Sequence, residues 1–190
     1  MAQGVAYAAR EIGVAATVLL PKTAAANKVA ALKRFGANIR FMEDDEWRQV
    51  LKMHGHPEIK GLFIHSVANQ DVLAGDATVG LEIFEDLPDV DTVLVSFEGG
   101  GLACGVASAL RTLGSEARVL GAESTHCAPL SAALKAGKPQ DLPIAHSFIS
   151  GVESALAGRT GKGKVVCIIS GGNLNPEYLI DILQGRVPSA

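Results

Sequence analysis

The fold of this chain is decided by residues 93–102, which read Val-Leu-Val-Ser-Phe-Glu-Gly-Gly-Gly-Leu. The apolar run predicts a buried strand over Thr92–Phe97, and the segment after it predicts a helix over Leu102–Leu113. Glycines between them allow a tight turn, since they lack Cβ atoms. Amides at a helix start point outward and the helix dipole favours negative charge there. The turn Glu98–Gly101 is therefore a candidate phosphate site, although a tight turn without a ligand would use the same glycines.

Outward from this turn, strands and helices alternate along the chain. Apolar runs that end at Gly or Pro predict strands, and segments with one apolar face predict helices. The other predicted strands are Ala15–Leu20, Asn38–Met42, Ala117–Ala122 and Lys164–Ile169, with an extended piece at Phe63–His65. The other predicted helices are Ala2–Ile12, Ala25–Phe35, Asp44–Met53, Asp71–Glu85 with Asp71 as N-cap, Pro129–Lys135 and Pro176–Leu183. This order predicts an α/β fold, with a parallel twisted sheet and helices on both faces.

A second turn, Ser170–Gly172, follows the predicted strand Lys164–Ile169. Ligands of parallel sheets bind at the carboxyl ends of the strands, so we expect this turn to share an edge with Glu98–Gly101. The hydroxyl of Ser170 could donate to, or accept from, a ring nitrogen. A turn or N-cap serine is the ordinary alternative.

The loop His54–Gly61, which is broken by Gly and Pro, is the candidate domain boundary.

The glycine turn also admits a nucleotide-binding interpretation. Gly99, Gly101 and Gly105 form a GxGxxxG pattern, and Glu123 ends the next predicted strand about 20 residues later, where an acid would hold a ribose. Three adjacent glycines are not the usual form of that fingerprint. It also normally lies in the first turn of its domain. A dinucleotide domain is therefore the weaker alternative.

Composition excludes several classes of protein. With 190 residues, 48% of them hydrophobic and 19% charged, the chain can fill a core, and its net charge of −3 predicts neither nucleic acid nor an anionic membrane as partner. No apolar run is long enough to span a bilayer, and Met1–Arg10 lacks the pattern of a signal peptide. Cys104, Cys127 and Cys167 are scattered and without zinc spacing. They predict reduced, mostly buried thiols in a cytoplasmic protein.

The order of these motifs resembles the fold-type-II pyridoxal-phosphate enzymes, above all the threonine/serine dehydratases and serine racemase. Met1–Arg10 resembles the helix after the asparagine loop of that family, and the most specific matches are Gly99–Leu102 and Ser170–Asn173. Other segments that match in order are Ala16–Pro21, Lys28–Ala37, Ala74–Ile83 and Gly121–Glu123. The resemblance implies a tryptophan synthase β-like fold, with the remnant of a small domain at 1–60 and an incomplete large cofactor-binding domain at 61–190.

The resemblance also implies roles for the two turns. Gly99, Gly100 and Gly101, with the amide of Leu102, would hold the phosphate of pyridoxal 5'-phosphate. Ser170 would face the pyridine nitrogen. A neutral hydroxyl there leaves the ring unprotonated, which suits β-elimination of water from serine or threonine. The family further implies a small amino-acid substrate and a homo-oligomer.

A divalent cation is a further implication of the family. Glu123 matches a position that helps to bind such a cation in some members. Cys127 and Pro129 do not match the other ligand positions, and an exposed glutamate without a ligand is the alternative for Glu123.

The chain departs from the family pattern at three places. None of its nine lysines stands in the Ser-x-Lys-x-Arg-Gly-like stretch that carries the cofactor, which precedes the asparagine loop in the family. Glu98 replaces the first of four glycines, and its charge would oppose a phosphate. Phe148–Gly158 joins segments that lie far apart in the family. These departures predict a truncated, internally deleted member that is inactive alone, either as a non-catalytic fragment or as a pseudo-enzyme.

Overall fold

A computed structural model describes residues 1–123, 127–140, 142, 159–170, 177, 180, 181 and 184. They divide into two compact units. Unit 1 comprises Met1–Ser66 with the described residues between 177 and 184, and unit 2 comprises the described residues from Val67 to Ser170. The division at Ser66 lies a few residues beyond the boundary predicted at residue 60, and the described C-terminal residues 177, 180, 181 and 184 group with unit 1.

Unit 1 contains a pair of parallel strands with helices between and after them. Its elements are α1 (Ala2–Glu11), β1 (Thr17–Pro21), α2 (Ala26–Arg34), β2 (Asn38–Met42) and α3 (Asp44–Met53). The ladder of β1 and β2 runs from Thr17 opposite Asn38 to Pro21 opposite Met42. Ala6, Val18 and Leu32 form its buried core, so α1 and α2 pack together beside β1.

Unit 2 contains a parallel sheet in which β3 is the central strand. Its elements are α4 (Gln70–Asp86), β3 (Thr92–Ser96), α5 (Gly101–Thr112), β4 (Arg118–Ala122), α6 (Pro129–Ala136) and β5 (Val165–Cys167). The strand order is β4-β3-β5, and both ladders are parallel. Because β3 has a neighbour on each side, its residues 92–95 are all buried. The predicted α/β class with parallel strands is confirmed, with the strands divided between two sheets.

Close packing of α4 against α5 fixes the position of α5 at the end of β3. A Cβ atom at Gly80 would lie 2.8 Å from the Cβ of Ala109, and one at Gly105 would lie 2.8 Å from the carbonyl oxygen of Leu73. The two backbones can therefore approach only because both positions are glycine. The other face of α5 contributes Val106 to the core that covers β3.

The structure corrects two sequence-based predictions. Helix α4 begins one residue before Asp71, and its N-cap is Asn69, whose side-chain oxygen accepts from the Val72 amide at 3.0 Å. Asp71 lies in the first turn instead, where its charge suits the helix dipole. The three cysteines form no disulfide bond within the described residues, but Cys104 is exposed and the other two are only half-buried. Cys104 is exposed because its neighbours Ala103 and Gly105 occupy the buried face of α5.

Three further predictions concern the remaining segments. Phe63–His65 forms no strand. Most of the predicted helix Pro176–Leu183, like the junction Phe148–Gly158, lies outside the described residues. In the part of the chain that the structure describes, no helix has the length and apolar character needed to cross a membrane.

Candidate functional site

The predicted site residues follow the carboxyl ends of the three strands of unit 2. Glu123 follows β4, the glycine turn Glu98–Gly101 follows β3, and Ser170 lies just beyond β5. Because the strand order is β4-β3-β5, the glycine turn lies between the other two positions. We call this end of the sheet, with Ser96 at the end of β3, the carboxyl edge. Ser170 and the turn Glu98–Gly101 thus lie at the carboxyl ends of strands of one parallel sheet, while Gly171 and Gly172 of the second predicted turn lie outside the described residues.

The start of α5 is the principal source of hydrogen-bond donors at the carboxyl edge. Gly100 is its N-cap and has a φ of 86°, a left-handed conformation that glycine adopts without strain. It has no side chain to cap the helix, and the first intrahelical bond joins the Cys104 amide to the Gly100 carbonyl at 2.9 Å. The amides of Gly101 and Leu102 precede that bond, so they have no acceptor within the helix. Such amides suit an anion.

Packing also explains why residues 99 and 100 are glycine. A Cβ atom at Gly99 would lie 2.5 Å from Cγ1 of Val67, and one at Gly100 would lie 3.0 Å from Cζ of Phe97. The turn is thus shaped by protein contacts as well as by its left-handed residue. A structural role and an anion-binding role for the same glycines are compatible.

Glu98, the departure from the family glycines, is exposed. Water and salt screen an exposed charge much more strongly than a buried one. The repulsion between this carboxylate and a phosphate at the helix start is therefore smaller than the sequence alone implies.

Ser170 makes a direct side-chain contact with β3. Its Oγ lies 2.6 Å from the Oγ of Ser96, and either hydroxyl can be the donor. Pairing with β3 continues beyond β5, because the Ile168 amide donates to the Leu94 carbonyl at 2.9 Å. Sequence reasoning gave Ser96 no role. The signal that could have identified it is a hydroxyl at the last position of a central strand, beside the turn.

The carboxylate of Glu123 accepts hydrogen bonds from α6. Its carboxylate accepts from the amides of Leu130 and Ser131, and from the Ser131 hydroxyl at 2.7 Å. A carboxylate at this place also suits the positive end of the helix dipole. Nowhere in the described ranges do three or more His, Cys, Asp or Glu side chains form a group that could hold a metal ion. A cation at Glu123 stays a prediction, and it would compete with these donors.

The same observations weigh against the nucleotide-binding alternative. The carboxylate of Glu123, which would hold the ribose, accepts hydrogen bonds from α6 instead. Gly105 is buried against α4, but the last glycine of a dinucleotide pattern also serves close packing, so Gly105 does not discriminate between the two interpretations.

A cavity of about 320 Å³ lies in unit 1, and none of the predicted site residues lines it. Arg10, Lys33 and Arg34 line it together with apolar residues of α1 and of the segments that follow α1 and α2. These cations stand in the last turns of their helices, where basic side chains complement the helix dipole.

Comparison with known proteins agrees with this architecture. The family model described as pyridoxal-phosphate dependent enzyme matches residues 1–162. The chain is 34% identical over 142 residues to the L-threonine ammonia-lyase of Thermotoga maritima, a match that covers 73% of this chain and 35% of that protein. It is 32% identical over 160 residues to the serine racemase of Oryza sativa subsp. indica, covering 84% and 47%.

A solved structure shows the same arrangement of elements. The structure of maize serine racemase superposes with a TM-score of 0.69 and 28% identity, and covers 88% of this chain and 53% of that one. The chain spans less than half the length of the curated relatives that it matches.

Proposed function

Because this chain belongs to the family of pyridoxal-phosphate-dependent enzymes, we propose that its carboxyl edge binds pyridoxal 5'-phosphate. The observation that carries the proposal is the uncapped start of α5 behind Gly100, on the same edge as Ser170. The amides of Gly101 and Leu102 would donate to the phosphate, and Gly99 and Gly100 would let it approach the backbone. The donor set fits a phosphate group.

Ser170 would hydrogen-bond the pyridine nitrogen. When bound, the cofactor supplies an electron sink that stabilises negative charge on the substrate Cα. A neutral hydroxyl can donate to an unprotonated ring nitrogen without adding a charge at that end of the ring. Such a ring suits elimination of a β-hydroxyl group.

We propose that the reaction in which these site residues take part is β-elimination from a small hydroxy-amino acid such as threonine or serine. The support is the similarity to proteins named L-threonine ammonia-lyase. Racemisation is the other chemistry to consider, since proteins named serine racemase are almost equally similar. A homo-oligomer in the cytoplasm, with unit 1 as the small domain and unit 2 as the cofactor domain, completes the proposal.

We further propose that these 190 residues do not carry out the elimination alone. None of the nine lysines stands in the family motif that joins the cofactor. Lys162 and Lys164, two of the four lysines of unit 2, precede β5, whereas Ser170 follows it, so the strand separates these two from the proposed site. The Nζ of Lys164 also pairs with Asp89. A lysine so placed cannot remove the Cα proton of a substrate at the carboxyl edge, and a displacement of about 1 Å already costs roughly 10²-fold in rate.

Titration of the 190-residue chain with pyridoxal phosphate tests the proposal. We expect a saturable absorbance change, and Ser170→Ala should weaken binding by about 2- to 10-fold, the value of one hydrogen bond. Ser108→Ala, which changes an exposed serine on α5, is the matched control and should bind like the unchanged chain. No binding by the unchanged chain, or enhanced NADH fluorescence without a pyridoxal response, would contradict the proposal.

The same preparation should release no keto acid from threonine or serine at saturating cofactor. A positioned general base contributes about 10²- to 10⁴-fold by itself, and here no lysine occupies the position that carries this role in the family. Turnover on the order of 1–10³ per second would show that a different lysine serves the reaction.

A further inference from the structure

Ser96 is held at the carboxyl edge by its pairing with β4. It is the last residue of β3 and lies opposite Ala122 of β4. The next amide, that of Phe97, donates to the Ala122 carbonyl at 2.8 Å, whereas on the other side the last pairing of β3 within the described residues is at Leu94. The side chain of Ser96 therefore projects from a fixed backbone position, half-buried in the sheet.

The backbone of Ser170 is less firmly held than that of Ser96. It is exposed and lies beyond the last ladder residue of β5, Cys167. A serine hydroxyl carries one proton and rotates to suit whichever acceptor is available. Without a protein partner, that proton would be shared among surrounding water molecules.

The hydroxyl of Ser96 restricts that rotation. The two Oγ atoms are 2.6 Å apart, in the range of a good O–H···O hydrogen bond, although the residues are 74 positions apart in sequence. If the Ser96 hydroxyl donates to Ser170, it occupies a lone pair of the Ser170 oxygen. The Ser170 proton is then directed away from Ser96, and a chain of two hydrogen bonds strengthens each member.

We propose that Ser96 is a positioning residue that directs the Ser170 hydroxyl toward the pyridine nitrogen of the bound cofactor. This inference rests on the proposed function, because it requires the cofactor ring at the carboxyl edge. Ser96 donates to Ser170, and Ser170 donates to the unprotonated nitrogen. Ser96 itself touches neither the cofactor nor the substrate.

This arrangement gives Ser96 an effect that depends on one atom of the ligand. Replacing the ring nitrogen by CH removes the acceptor that Ser170 would serve. The contribution of Ser96 should then vanish, whereas a merely structural contribution of Ser96 to the turn would remain. The phosphate contacts of Gly101 and Leu102 are the same for both ligands.

The experiment compares the dissociation constants of pyridoxal phosphate and 1-deazapyridoxal phosphate. Both are titrated by absorbance into the 190-residue chain and its Ser96→Ala, Ser96→Thr and Ser108→Ala variants. We expect Ser96→Ala to weaken the binding of pyridoxal phosphate by about 2- to 10-fold and to leave the binding of the analogue unchanged. Ser96→Thr, which keeps the hydroxyl, should restore most of the affinity. Ser96→Ala should have no effect when Ser170 is already alanine.

Three results would overturn the inference. Equal binding of pyridoxal phosphate by the unchanged chain and Ser96→Ala would show that Ser96 does not act through Ser170. Equal losses for both ligands would assign Ser96 a structural role only. Failure of the unchanged chain to bind pyridoxal phosphate would overturn the proposed function, and this inference with it. That failure is recognised before any variant is made.

Discussion

The two ends of the sheet in unit 2 are built in different ways. At the end where the strands begin, the amino edge, side chains bond to one another and to the backbone. Arg118 donates to the Thr92 hydroxyl at 3.0 Å and to the Thr160 carbonyl, while Thr92 donates to the same carbonyl at 3.2 Å. Thr92 and Thr160 are 0% and 3% exposed. The carboxyl edge instead presents helix amides, glycines and a pair of hydroxyls.

The difference suits stability at one edge and the proposed cofactor binding at the other. Buried polar groups must find partners within the protein, since an unpaired one costs about 1–3 kcal/mol. The amino edge meets this requirement with Thr92, Arg118 and Thr160. A binding site needs the opposite: donors that the fold leaves without internal acceptors, as at the start of α5. Substitutions at the amino edge should therefore affect folding more than those at the carboxyl edge.

Gly163→Ala should have the largest effect on stability. Gly163 has a φ of 108°, and a Cβ atom there would lie 2.2 Å from Oδ2 of Asp91. That oxygen accepts from the Lys164 amide at 2.7 Å, so the bond would be disturbed. Backbone strain and the lost hydrogen bond predict a loss of about 2–4 kcal/mol in the free energy of unfolding. Urea unfolding followed by circular dichroism measures it.

The control for this substitution is Gly114→Ala. Gly114 has a φ of 76°, and no atom lies within 4 Å of where its Cβ would be. The free energy of unfolding of this variant should therefore fall only by the cost of the left-handed backbone, about 1 kcal/mol. Equal losses at the two positions would show that contact with Asp91 at the amino edge does not matter.

Gly100→Ala should have a smaller effect on stability and a distinct effect on binding. Its φ of 86° predicts a loss of about 1–2 kcal/mol, and Phe97 has to move slightly to accommodate the Cβ. The altered turn would displace the first amides of α5, so the affinity for pyridoxal phosphate should fall as well. Gly114→Ala serves again as control and should leave affinity unchanged. Unaltered affinity in Gly100→Ala would contradict the assignment of the phosphate site.

Much of the carboxyl edge could be predicted from the sequence, because its signals are local. The buried run before Glu98–Gly101 predicted β3, and the glycines predicted a turn into a helix. Ser170 was placed on the same edge because parallel strands end on one face. The first two inferences use residues that are neighbours in the chain, and the third adds only the rule for the ends of parallel strands.

The amino edge could not be predicted, because it depends on contacts between distant segments. Thr92 and Thr160 are separated by 68 positions, and Thr92 and Arg118 by 26. Neither pair has a sequence pattern that marks it. The same reason explains why the partner of Ser170 was missed, and why the hydrogen bonds between Glu123 and α6 were not predicted.

Glu123→Gln tests whether a side chain at the carboxyl edge can serve stability. The amide would keep one acceptor oxygen but lose the charge at the start of α6, which predicts a loss of about 0.5–1 kcal/mol. Urea unfolding with and without millimolar Mg²⁺ measures it. We expect Mg²⁺ to leave the unchanged chain unaffected, since the carboxylate already accepts from Leu130 and Ser131. A stabilisation by Mg²⁺ that Glu123→Gln abolishes would instead support the cation site of the family.

Asp89→Asn should have the smallest effect, because it changes only the exposed rim of the amino edge. Asp89 pairs with Lys164, and their side chains are 68% and 52% exposed. The hydrogen bond from Lys164 lowers the pKa of Asp89 below its ordinary value of 3.8. The unfolded chain therefore takes up this proton first as the pH falls, so the contribution is present above about pH 3.8 and disappears as the pH falls through the folded pKa.

Urea unfolding of both proteins at pH 7 and at decreasing pH tests this expectation. At pH 7 the two should differ only slightly, because exposed ion pairs are weak and salt screens them. The difference in their free energies of unfolding should shrink with added salt and vanish once the pH is below the folded pKa of Asp89. A large difference at pH 7 that persists in salt would mean that the amino edge extends to Asp89. The boundary between the stabilising edge and the solvent would then lie one ion pair farther out than the hydrogen bonds that Arg118 makes to the buried Thr92 and Thr160.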